Sequence, residues 1–126
     1  MKLYRVMKVD SDGKPLAGVR RNMLGVRPTD PNNTNPKRKF DVTAVSGDDL
    51  VRPGAKKGLS VSISLGRLFA GPGEAIWEID LADLLPDLIP IPDHPPHHVL
   101  EPISAMTLDE YQEALVDTRD FWQQVP

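Results

Sequence analysis

The chain has 126 residues, no cysteine and a net charge of −3. That length suits a single domain built on one hydrophobic core. The lack of cysteine excludes disulfides, thiolate metal sites and thiol catalysis, and no apolar run approaches the roughly 18 residues of a membrane span, so no membrane partner is expected.

The charge is unevenly spread. Residues 1–67 carry 14 Lys/Arg and 6 Asp/Glu, whereas residues 68–126 carry 1 and 12. Either the halves neutralise each other across the fold, or the basic half forms a wall for an anionic ligand such as a dinucleotide or a nucleic acid. Met1-Lys2 leads directly into charged sequence with no apolar signal region, which predicts no cleavable signal and a cytosolic place of action.

In chain order, the first predicted strand covers Leu3–Val9, with Leu3, Arg5, Met7 and Val9 on one face and Tyr4 and Val6 on the other. Arg5 therefore shares a face with apolar neighbours, a costly position for a guanidinium unless an anion pairs with it. A turn over Asp10–Pro15 precedes an extended piece over Val19–Val26. Residues 28–36 hold three prolines, three asparagines and no apolar side chain, so they read as a mobile surface loop that could act as a lid. A short strand is predicted over Phe40–Val45, with a turn-rich connection over 47–54.

The cleanest alternation lies in Gly58–Leu65: Leu59, Val61, Ile63 and Leu65 point one way, and Ser60, Ser62 and Ser64 the other. Three serines either face water or floor a close-fitting ligand site. A further strand is predicted over Ala75–Leu81, then a turn or short helical piece over 82–87. The segment Leu88–Pro92 is extended, and its prolines suggest an edge strand. In the strand His97–Glu101, His97, Val99 and Glu101 share one face and His98 and Leu100 the other. The adjacent histidines point apart and do not share an ion easily, so no metal is expected. Thr107-Leu108-Asp109-Glu110 is a capping-box pattern, and Leu108, Tyr111, Leu115, Thr118 and Trp122 recur at helical spacing, predicting a helix to about Trp122.

Four blocks, Leu3-Tyr4-Arg5-Val6, Gly58-Leu59-Ser60-Val61, Asp83–Leu88 and His97–Met106, resemble in order and rough spacing the small type VI secretion effectors of the Tse-two type. The resemblance implies an α+β, ADP-ribosyltransferase-like fold over residues 1–126, with two small antiparallel sheets around an NAD cleft and a C-terminal helix. It implies that Arg5, with Tyr4 and Ser62 beside it, holds the nucleotide, that Ser60 lies against the nicotinamide ribose, and that His97 takes the functional histidine position. Glu101 departs from the pattern: it is either a catalytic carboxylate for a developing oxocarbenium ion or a strand-end acid paired with Arg5 or a lysine. The implied function is an NAD-dependent transferase or glycohydrolase toxin, acting in the cytoplasm of its own or a target cell, with NAD as substrate and an immunity protein as a candidate partner. The competing reading is a non-catalytic protein whose basic half docks on an acidic partner or nucleic acid. Only Phe40 interleaves the Lys37-Arg38-Lys39 run, which argues against stacking on single strands. RNA phosphotransfer is weaker still, since the pattern places only Arg5 at a phosphate.

Overall fold

Eight strands and one α-helix follow in chain order: β1 (Lys2–Lys8), β2 (Leu50–Val51), β3 (Leu59–Ser62), β4 (Glu74–Asp80), β5 (Leu88–His94), β6 (His97–Pro102), β7 (Met106–Thr107), α1 (Leu108–Asp117) and β8 (Gln123–Gln124). The computed structural model describes all residues 1–126. Six strands form one antiparallel sheet in the order β5-β6-β3-β1-β4-β8, and β2 pairs with β7 in a separate two-stranded ladder. This corrects the expectation of two small sheets around the cleft: one large sheet carries the molecule. The physical reason is that residues 10–49 contribute no named strand and so cannot build a second sheet.

The alternation of β1 sets the core. Leu3 and Met7 are fully buried, and they meet Trp77 and Ile79 of β4, Leu59 and Val61 of β3, and Leu100 of β6 in one apolar cluster. Burying each such side chain is worth about 1.5–3 kcal/mol. α1 closes this face through Leu108, Tyr111 and Leu115. Its start follows the capping box: the Glu110 N–H donates to the Thr107 hydroxyl at 3.1 Å, and the Thr107 N–H donates to the Glu110 carboxylate at 3.0 Å. The helix stops at Asp117, five residues short of the expected end. There the Thr118 hydroxyl donates to the Leu115 carbonyl at 2.6 Å and accepts the Trp122 indole N–H at 2.9 Å, so a 3-10 turn carries Trp122 into the core. None of the helices is long and apolar enough to cross a membrane.

Three other expectations shift. β3 ends at Ser62, because the Ser62 hydroxyl bonds both the carbonyl and the N–H of Ser64 and turns the chain, leaving Ile63 and Leu65 exposed. Val19–Val26 and Phe40–Val45 are not strands. Their main-chain groups go to scattered partners instead of a ladder: Leu24 bonds Leu16 and Gly18, Asp41 and Val42 donate to the Arg27 carbonyl, and Gln112 clasps both the N–H and the carbonyl of Val26, at 2.9 and 2.8 Å. The predicted loop over 28–36 does lack helix and strand, and the edge position expected of the prolines in β5 is where that strand lies.

Candidate functional site

The site opens where β1 and β3 part. Their only register pair is Tyr4↔Ser62. One step on, the guanidinium of Arg5 takes the Ser60 carbonyl at 2.9 Å and the Met23 carbonyl at 2.9 Å. A side chain thus fills the gap that a ladder bond would have closed. The resulting cleft holds about 170 Å³ and is lined by Tyr4, Arg5, Ser60, Ser62 and His97, with Asn22 and Leu68 at its sides. Three strands far apart in sequence supply it.

Arg5 has carbonyls where the sequence suggested an anion. Its Nε is buried without a hydrogen-bond partner. Burial pushes its pKa down to about 10, with Arg27 adding to that and Asp41 opposing it. A half-satisfied guanidinium under a cleft is an attractive field for negative charge, because a low-dielectric setting strengthens every remaining interaction. Above it, Ser60 is half-buried, and its hydroxyl makes no hydrogen bond within the protein, whereas that of Ser62 is committed to the turn at Ser64.

Glu101 does not line the cleft. Its carboxylate, 2 % exposed, accepts the N–H groups of Gly54 and Lys56 at 2.8 and 2.7 Å, and it pairs with neither Arg5 nor a lysine side chain. This corrects the expected pairing with Arg5 or a lysine. The acid fastens a loop, and that loop carries Lys56 and Lys57 to a smaller hollow of about 140 Å³ that shares Ser60 and His97 with the cleft.

His97 is held by a carboxylate that the sequence reading passed over. Asp93 Oδ2 lies 3.1 Å from His97 Nδ1 and 3.2 Å from His94 Nδ1. A register shift between Pro92 and His94 produces this: Pro92 faces His98, yet His94 faces His97, so Asp93 is an extra residue. Such a bulge re-aims the side chains beside it. Without it, His94 would share a face with Pro92. His98 behaves as its alternation requires: it is buried, points away from His97 and bonds the Pro96 carbonyl at 3.3 Å.

Two residues outside the lining join β3 to β6. The Tyr111 hydroxyl enters between β3 and β6, accepting the Leu59 N–H at 3.0 Å and donating to the Leu100 carbonyl at 2.5 Å, and burial drives its pKa up. A Cβ at Gly58 would stand 2.2 Å from that carbonyl and 2.7 Å from that hydroxyl, so glycine is required. Asn22, on the cleft wall, has φ +59°, a left-handed conformation asparagine tolerates, and its amide donates to Glu74 at 2.5 Å. Backbone bonds from Gly71, and then Asn22, hold the Glu74 carboxyl below its usual range.

The cleft continues into basic ground. Asn22 is shared with a hollow lined by Lys8, Arg21 and Glu74, and Arg21 is shared with a larger one of about 680 Å³ lined by Arg27, Lys37, Arg38 and Lys39. Elsewhere a base of the first half meets acids of the second, as Lys2 does with Glu78 and Asp80, while Arg119, the one base of the second half, pairs the other way with Asp10 and Asp12. The basic residues are thus partly paired and partly gathered around one hollow.

No curated protein and no solved structure matches the chain. A family model does, that of the Tse2 ADP-ribosyltransferase toxin, over residues 1–122. With nearly the full length of the sequence covered, the chain belongs to the Tse2 ADP-ribosyltransferase toxin family.

Proposed function

We propose that the protein is a toxin that binds NAD as substrate in the β1/β3 cleft, and there transfers ADP-ribose to a target or hydrolyses the dinucleotide. The observation that carries the reading is the convergence of Tyr4, Arg5, Ser60 and His97 on one opening beside a basic surface. At about 170 Å³ the cleft is smaller than the roughly 300 Å³ at which pockets for drug-sized ligands begin. It has room for a ring and part of its sugar. The diphosphate would then run past Asn22 toward Arg21, where cationic side chains suit its oxygens.

Cleavage of the nicotinamide–ribose bond builds positive charge on the sugar, as glycosidic cleavage does generally. With Glu101 withdrawn, no carboxylate lines the cleft. Stabilisation falls to oriented dipoles: the free Ser60 hydroxyl, and His97, whose ring Asp93 steadies at 3.1 Å. With Nδ1–H donating to Asp93, His97 presents Nε2 as an acceptor, suited to a ribose hydroxyl. The type VI effector role, an immunity partner and action in a target-cell cytoplasm belong to the same proposal.

The test is NAD consumption and target labelling by wild type beside Ser60→Ala and Arg5→Met. Loss of turnover in both supports the reading, and turnover equal to wild type in both contradicts it. The basic hollow favours a second reading, docking of an acidic partner or nucleic acid. It requires binding that weakens steeply with salt and flattens when Lys37, Arg38 and Lys39 are neutralised.

A further inference from the structure

The turn between β5 and β6 gathers three metal-binding side chains at the mouth of the cleft. His94 and His97 stand directly opposite each other across the hairpin, the arrangement that brings Cβ atoms closest in a sheet. Their rings stack at 4.8 Å with 27° between planes. Asp93, the bulged residue, puts Oδ2 3.2 Å from one Nδ1 and 3.1 Å from the other. Candidate donor atoms of all three residues lie within 4.8 Å of one another.

We propose that Asp93, His94 and His97 form a binding site for a divalent transition-metal ion of the Zn²⁺ class. Zinc bonds imidazole nitrogen and carboxylate oxygen at about 2.0–2.1 Å, so neighbouring ligands around a tetrahedral ion stand about 3.3 Å apart. The two nitrogen–oxygen separations here are already within about 0.2 Å of that edge. The donor atoms as a set lie within 4.8 Å, so an ion entering would still have to draw the two imidazoles together. Two imidazoles and one carboxylate select zinc, nickel or copper over magnesium and calcium, which prefer oxygen. The bulge at Asp93 is a second sign of a built feature, since a regular hairpin would turn His94 to the opposite face. His94 is 80 % exposed at its side chain, so solvent ions reach it and the remaining coordination positions stay open. His97 also lines the cleft, so an ion on it would fix the ring at the mouth of the substrate site.

The inference rests on the hairpin and not on the NAD reading, but the two share His97, whose Nδ1 holds either a proton toward Asp93 or the ion, so the NAD reading is tested separately in the presence of a chelator. The same contacts could hold the cluster with protons in place of metal, and a titration separates the two. Tag-free protein, stripped with a chelator and dialysed, is titrated calorimetrically with Zn²⁺ and in parallel with Mg²⁺. His94→Ala and Asp93→Asn accompany it, both exposed positions whose folding is checked by circular dichroism. The expected result is one equivalent of Zn²⁺ bound, a higher melting temperature with Zn²⁺, no response to Mg²⁺, and affinity at least about tenfold weaker in both variants. Absence of a one-equivalent site in the wild type, equal Zn²⁺ affinity in both variants, or Mg²⁺ binding as strong as Zn²⁺ each overturns the proposal.

Discussion

Ser60 and Glu101 share the face of the sheet on which the cleft opens, yet their surroundings give them opposite duties. Ser60 leaves its hydroxyl free at the cleft, so Ser60→Ala should cost about a hundredfold in NAD turnover with an unchanged melting temperature. Glu101 binds two main-chain N–H groups, and Glu101→Gln presents an amide N–H₂ to one of them. That variant should lose about 1–3 kcal/mol of stability in urea unfolding and keep its turnover wherever it remains folded. The reverse pattern, a stable and inactive Glu101→Gln, would make the acid catalytic after all. Arg5 is a third case. It is a buried charge held by carbonyls, so Arg5→Met should leave the melting temperature level or raise it while weakening NAD binding at least about tenfold. Burial lowers its pKa from the ordinary guanidinium range to about 10 in the folded chain, so the penalty for burying the charge is fully present below pH 10. Above pH 10 the unfolded chain binds more protons, and wild type should gain stability relative to Arg5→Met there. A gap between the two that is flat with pH would contradict the lowered pKa and show that the guanidinium keeps its charge throughout.

The strands and the helix differ in how plainly the sequence announces them. β1, β4, β6 and the start of α1 were legible because each is specified locally, by period-2 alternation or by a cap whose two hydrogen bonds lie within four residues. What was not legible depends on distant partners. The Gln112 amide that replaces a strand ladder at Val26 sits 86 residues away, and the Tyr111 hydroxyl joining β3 to β6 looks in the sequence like one more core position on a helix. Removing that hydroxyl with Tyr111→Phe strands a buried N–H and weakens the hold on a buried carbonyl, and should cost about 1–3 kcal/mol in urea unfolding. A cost near zero would mean that β3 and β6 close the gap directly. The cleft was legible in part: alternation put Ser60 and Ser62 on one face of their strand, but which faces of β1, β3 and β6 coincide is set by register, and nothing local revealed that Arg5 would reach between β1 and β3. The partners of Glu101, the N–H groups of Gly54 and Lys56, were not legible because they have no signature in side-chain identity. The bulge at Asp93 was missed for the same reason, since a one-residue register shift leaves the amino-acid pattern unchanged.

The fold as a unit joins a basic first half to an acidic second half, and its acid sensitivity follows from the carboxylates that the native state holds below their usual range. Arg119 does this for Asp10, the Ser46 and Val45 N–H groups for Asp49, the Gly71 N–H and Asn22 for Glu74, and the Thr107 N–H for Glu110. Their stabilisation is complete above the unfolded values near pH 4 and is lost as pH falls through the lower folded ones. Urea midpoints between pH 2 and 6 should therefore drop on the acid side, and less so in Asp49→Asn; an identical slope in that variant would remove Asp49 from the account. Membership of the toxin family and the cleft of about 170 Å³ beside a cationic surface point to one ligand. Calorimetric titration of NAD into chelator-treated wild type, Ser60→Ala and Arg5→Met measures it. One molecule of NAD bound per wild-type chain, with binding weakened at least about tenfold in Arg5→Met, is the predicted result. No heat in the wild type, or equal affinity in all three proteins, contradicts it.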